Sequence, residues 1–189
     1  MCSEDFLCLY KVVGMVTKKL VGGDELFFHP HVINFYNEVI EKWKNNSKRI
    51  ALFLGCTLHK PYSKSFMHRK IIGLIQKYGL NEDVQQFIIG EPLVVCPREW
   101  ENRYPAAHYE FPPERLGENG KKIFITRLKE FFNKINGNYE VYVIFAPNHH
   151  RKIILSACDD MFSPTVIPYN IYNLPRLLNI LKNYKQRKI

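Results

Sequence analysis

No apolar run in this 189-residue chain approaches the roughly 18 to 20 residues that a membrane-spanning helix needs. The longest, 50–54 and 141–146, have the length of buried strands. Met1 is followed closely by Glu4 and Asp5 with no basic segment, so the N-terminus does not read as a secretory signal and a cytoplasmic location is expected. The chain also lacks any Cys-x-x-Cys pair. Its five cysteines (Cys2, Cys8, Cys56, Cys96, Cys158) are odd in number and scattered, which argues against a disulfide framework and a structural zinc site. Neither metal nor cofactor is expected on these grounds. Internal repeats and low-complexity linkers are missing too, and with this length one domain spanning 1–189 follows.

Hydrophobic residues are plentiful, at 46%, with 14% aromatic, which excludes a disordered chain. Lys and Arg outnumber Asp and Glu by 27 to 18, a formal charge of +9. Such a surplus favours phosphate-rich partners through counterion release, although charge alone does not identify nucleic acid.

Residues 1–29 form a lead-in with an apolar stretch at 6–16 and a turn at Gly22-Gly23. From Pro30 the apolar positions Val32, Phe35, Tyr36, Val39, Ile40 and Trp43 follow helical spacing, ending at Asn45-Asn46-Ser47. The run 50–54, closed by Gly55, predicts a strand buried on both faces. Ser65 is placed to cap a helix carrying Phe66, Ile71, Ile72, Ile75 and Tyr78 and stopped by Gly79. Residues 87–96, broken by Gly90 and Pro92, predict a strand followed by an irregular connection. A proline-rich loop fills 97–118. A helix at 121–135, a strand at 139–146, a helix at 149–161, a short strand at 165–168 and a basic helix at 174–185 complete the chain. The alternation predicts a three-layer α/β domain with a mainly parallel central sheet.

Ligands in such sheets bind beyond the carboxyl ends of strands, which directs attention to the segment after Leu54. Residues 55–68 pack together Cys56, Thr57, His59, Lys60, Tyr62, Ser63, Lys64, Ser65 and His68. Cys56 reads either as a small buried strand-end residue or as a nucleophile whose thiolate the loop's cations would favour if they lie close. His68 reads as a packed residue or an acid/base group, and Ser65 as a helix cap or a substrate contact. In the second block, 96–110, Arg98 and Arg103 could clamp phosphate, Glu99 could accept from a base or an amine, and Tyr104 or Tyr109 could stack on a heterocycle. A solvated loop with an Arg–Glu pair is the plainer reading. His149-His150 lies at the same sheet edge if its strand is parallel to the first. Adjacent histidines do not share a helical face, which argues against a metal there.

Cys56, three residues, Lys60-Pro61-Tyr62, two residues, Ser65, two residues and His68 reproduce the spacing of a known signature. That pattern resembles the catalytic core of archaeosine synthase, an archaeal tRNA-modifying family related to tRNA-guanine transglycosylase, with Gly55 standing where the family has Pro. Val95, Pro97-Arg98-Glu99 and Tyr104-Pro105-Ala106-Ala107-His108-Tyr109 are similar to its second block. The resemblance is firm over 48–112. It implies a fold similar to uracil-DNA glycosylases and addition of lysine to the nitrile of 7-cyano-7-deazaguanine in the tRNA D-loop. A radical enzyme then acts as partner. It also implies catalytic roles for Cys56, His68 and Glu99, and substrate binding by Lys60, Tyr62, Ser65, Arg98, Tyr104, His108 and Tyr109. The family's C-terminal RNA-binding module finds no counterpart in the 189 residues, so a separate RNA-binding subunit is a further expected partner. The competing expectations are a non-catalytic nucleic-acid-binding or accessory subunit of a tRNA-modifying complex and, from fold analogy alone, a DNA-base glycosylase.

Overall fold

The computed structural model describes residues 18–159 and 161–186. In chain order the elements are β1 (Leu20–Val21), α1 (Pro30–Glu41), β2 (Ile50–Gly55), α2 (Phe66–Lys77), β3 (Val84–Gly90), β4 (Val94–Pro97) and β5 (Tyr109–Glu110). They continue with α3 (Glu118–Ile135), β6 (Val141–Phe145), α4 (Asn148–Cys158), β7 (Thr165–Val166) and α5 (Leu174–Gln186). The apolar stretch at 6–16, with the rest of the lead-in up to residue 17, lies outside the described residues.

A five-stranded sheet of order β4-β3-β2-β6-β7 forms the centre. β2 pairs in parallel with β3 and β6, and β6 with β7, while β4 returns antiparallel to β3. A mainly parallel sheet is therefore as expected, but the irregular connection predicted after Gly90 is a hairpin. Its turn, 91–93, sits at the carboxyl end of β3, and β4 then runs back toward the amino end. Val94 follows that turn with φ of 69°, a left-handed conformation that disfavours a β-branched side chain. The proline-rich loop also holds more structure than expected, since β5 pairs in parallel with β1 in a second, two-stranded sheet.

β2 shows why the chain layers as it does. Its residues are all buried, with Ala51 and Phe53 on one face and Ile50, Leu52 and Leu54 on the other. The first face packs against α1, α3 and α4 through Val32, Phe35, Phe131, Phe132 and Ile154, in a core rich in aromatic rings. The second packs against α2 and α5 through Ile71, Ile75, Leu177 and Leu181. A strand apolar on both faces must be covered on both, which makes three layers.

Candidate functional site

Parallel strands β2, β3 and β6 end at one edge of the sheet, and the segments that follow them bring three polar side chains together there. β2 gives Cys56, whose N–H still donates to Ile89 O at 2.8 Å; β3 gives Glu91; β6 leads through Pro147 into the first turn of α4 and His150. Two glycines make this convergence possible. A Cβ on Gly90 would lie 2.4 Å from both Cβ and Sγ of Cys56, and one on Gly55 would lie 2.8 Å from His150 Nδ1.

His150 Nε2 sits 3.1 Å from Glu91 Oε2 and 3.6 Å from Cys56 Sγ, and Sγ lies 3.9 Å from the same carboxylate oxygen. His150 and Glu91 are almost wholly buried, whereas Cys56 is partly open. Burial by itself would discharge His150, but its electrostatic and hydrogen-bonding interactions with Cys56 and Glu91 outweigh that and raise its pKa to about 10. Burial likewise works against the Glu91 carboxylate, yet the hydrogen bond and charge of His150 hold it below the usual carboxylate range. The cluster can therefore hold an imidazolium and a carboxylate side by side near neutral pH, with the Cys56 sulfur in contact with both.

A cavity of about 220 Å³ opens on Cys56, lined also by Thr57, Lys60, Glu91, Phe111 and His149. Lys60 Nζ donates to Thr57 O at 2.5 Å and lies 4.1 Å from the centroid of the Tyr109 ring. Burial lowers its pKa, against the opposing pull of Cys56 and Glu91. Beneath it the buried hydroxyls of Tyr62 and Tyr109 meet at 2.9 Å, joining the two sequence blocks. As a donor set, Cys56 Sγ, Glu91 Oε2 and His150 Nε2 lie within 4.8 Å of one another and could also ligate a borderline-soft divalent cation. That donor set was not expected from the sequence.

The other sequence candidates lie elsewhere. His68 is buried in the first turn of α2, with Nε2 2.9 Å from Gly55 O and Nδ1 2.6 Å from an Arg98 guanidinium nitrogen. Arg98 donates further to Glu101 at 2.9 Å and Gln86 at 3.1 Å. His68 and Arg98 thus brace the end of β2 rather than face the cavity. Ser65 holds the N-cap position of α2, but its side chain makes no capping bond, and its buried Oγ has no partner among the described residues. Tyr104 donates to Lys18 O at 3.1 Å and packs near His31 and His108, away from Cys56.

Glu99 is separated most clearly. Its carboxylate accepts from Trp43 Nε1 at 2.6 Å and from Gln85 Nε2 at 2.9 Å, at the amino end of β3. The reason is β4: an antiparallel strand carries the residues that follow it to the opposite edge of the sheet. Sequence reasoning missed Glu91 because it sat in what looked like an irregular connection. The available signal was its place directly after the apolar run 87–90. His150 was legible as an edge residue, but its pairing with Cys56 was not.

An α/β domain with a cysteine–histidine–carboxylate cluster at the carboxyl edge of its sheet is the class these features define. The chain belongs to the family described as "Domain of unknown function (DUF5591)", which matches residues 32–172. Two relatives carry the name "Archaeosine synthase subunit alpha", so the resemblance drawn from the two motif blocks holds. That from Thermoplasma acidophilum is 30% identical over 146 residues, 77% of this chain and 26% of its own length. That from Methanosarcina acetivorans is 39% identical over 135 residues, 71% of this chain and 21% of its own length. The chain therefore spans between a fifth and about a quarter of the relatives it matches. The crystal structure of AF0587, a protein of unknown function, shares the fold with a TM-score of 0.57 at 23% identity, covering 78% of this chain and 49% of that one. No helix among the described residues is long and apolar enough to cross a membrane.

Proposed function

We propose that this chain is the amidine-forming core of an archaeosine synthase, adding lysine to the nitrile of 7-cyano-7-deazaguanine in tRNA. The observation that carries the reading is the cluster of Cys56, His150 and Glu91 beside Lys60. A nitrile carbon accepts a thiolate, and the nitrogen then needs a proton at once. In this reading Cys56 Sγ bonds to the nitrile carbon while the His150 imidazolium protonates the nitrogen, giving a thioimide. The lysine amine adds to that carbon, its proton passes to His150 paired with Glu91, and the C–S bond breaks to release Cys56 and the amidine. Atoms balance without oxidant or reductant. Lys60 is placed to steady negative charge at the cavity, and its cation disfavours a metal in the same place.

Under this proposal His150 and Glu91 take the proton-moving roles that the resemblance gave to His68 and Glu99, and His68 and Arg98 become positioning residues. The uracil-DNA glycosylase-like presentation of a base by the polar loop 56–65 belongs to the same proposal, as do tRNA and lysine as substrates.

The test is incubation with nitrile-bearing tRNA and isotopically labelled lysine, followed by mass spectrometry of the nucleosides. One lysine per modified base is expected, and Cys56→Ser and His150→Ala should each lower its formation 10²-fold or more. Full activity in Cys56→Ser would remove the thioimide route. tRNA binding without any lysine incorporation, even with an added RNA-binding subunit, would favour the accessory-subunit alternative.

A further inference from the structure

Charge is strongly segregated along this chain. Residues 42–81 and 161–189 hold fourteen of the 27 Lys and Arg and none of the 18 Asp and Glu. The remaining residues hold thirteen cations and all eighteen acids, so the surplus of +9 resides wholly in those two stretches. The fold brings their helices together, because α2 and α5 form the layer that covers one face of the sheet.

Between these helices runs an open groove of about 830 Å³, whose walls include Phe66, Arg69, Lys70, Lys77, Tyr78 and Ile171 and no acidic side chain among the described residues. Large rings lie bare beside it, with Phe66 53% and Tyr172 89% exposed. Cations accompany these rings. Lys70 Nζ lies 5.5 Å from the Phe66 centroid, and Lys182 Nζ lies 4.6 Å from that of Tyr78. Exposed aromatic faces give sequence-tolerant stacking platforms and cations of one sign take phosphates, the combination that holds single-stranded nucleic acid. A surface built for a protein helix would more often carry charges of both signs at its rim.

One end of the groove lies at the same sheet edge as the cavity. α2 starts at the carboxyl edge of the sheet, where His68 Nε2 is tied to Gly55 O, and Tyr172 lies in the turn after β7 on that same edge. Twelve helical residues extend about 18 Å, room for about five stacked nucleotides at ~3.4 Å each.

We infer that the α2–α5 groove holds a single RNA strand, with phosphates on Arg69, Lys70 and Lys77 and bases on Phe66, Tyr78 and Tyr172. The inference rests on the tRNA reading above only for the choice of RNA over DNA and for the direction toward Cys56.

The test is anisotropy of a fluorescein-labelled single-stranded 12-nucleotide RNA across a salt series. The triple variant Arg69→Gln/Lys70→Gln/Lys77→Gln should flatten the slope of log affinity against log salt by about 2. Lys121→Gln/Lys122→Gln/Lys129→Gln, which removes the same charge from exposed positions of α3 on the other layer, should leave it unchanged. Tyr172→Ala, at a position too exposed to matter for folding, should weaken binding about tenfold. Equal losses in the two triple variants, or a polyglutamate peptide bound as tightly as the RNA, would overturn the proposal. Cys56→Ser keeps the two readings distinguishable: RNA binding retained with turnover lost supports both, and turnover retained with binding intact condemns only the chemistry.

Discussion

Acidification should weaken this domain through His68 in a way that one substitution removes. Burial, and then the Arg98 charge beside it, lower the His68 pKa from 6.5 to about 3, while its hydrogen bond to Gly55 O opposes the shift. The folded state thus keeps the imidazole neutral, donating from Nε2 and accepting from Arg98 at Nδ1, whereas the unfolded chain protonates it below about pH 6.5. Between those pH values the unfolded state binds more protons, so stability is full above about 6.5 and is lost as pH falls toward 3. At roughly 1.4 kcal/mol per pH unit, His68 alone should remove about 3 kcal/mol between pH 7 and 4.5. That is a large part of the 5–15 kcal/mol typical of a domain. Urea unfolding of wild type and His68→Gln at several pH values measures it. The variant should be less stable at pH 7, because Arg98 loses its buried acceptor, yet its stability should fall less steeply on acidification. Parallel pH dependences for the two proteins would refute a buried neutral His68.

Two further outcomes follow from the packing around Cys56. Gly90→Ala should cost about 1–3 kcal/mol in chemical denaturation and displace the thiol, since the new Cβ meets Cys56 at 2.4 Å, whereas Gly73→Ala in α2, with nothing within 4 Å, should be neutral or stabilising. Equal stability of the two variants would contradict the tight strand ends. In peptide mapping after brief alkylation at pH 7.5, Cys56 should be modified at least tenfold faster than Cys96 or Cys158, both buried and with thiol pKa values pushed up mainly by that burial. Comparable labelling of all three would show that the cavity does not expose the thiol.

The sequence by itself determined the layering and much of the edge chemistry. The run 50–55 is apolar at every position, so it had to be a strand covered on both sides, and the structure places β2 at those residues. Helical periodicity located the five helices to within a few residues, because an apolar stripe records which face is buried without reference to the rest of the chain. Cys56 and Lys60 were readable for the same reason: a polar loop straight after a buried strand has one place to go. What the tertiary structure alone decided was the direction of β4 and everything that depends on it. Whether residues 94–97 continue, wander or turn back is set by pairing with β3, a contact that local pattern does not encode. That reversal carries Glu99 to the far edge and leaves Glu91 beside Cys56. His150 joins them because β6 lies parallel to β2, bringing together residues 94 positions apart. Spacing along the chain could place each group at a strand end; only the order and sense of the strands could say which ends meet.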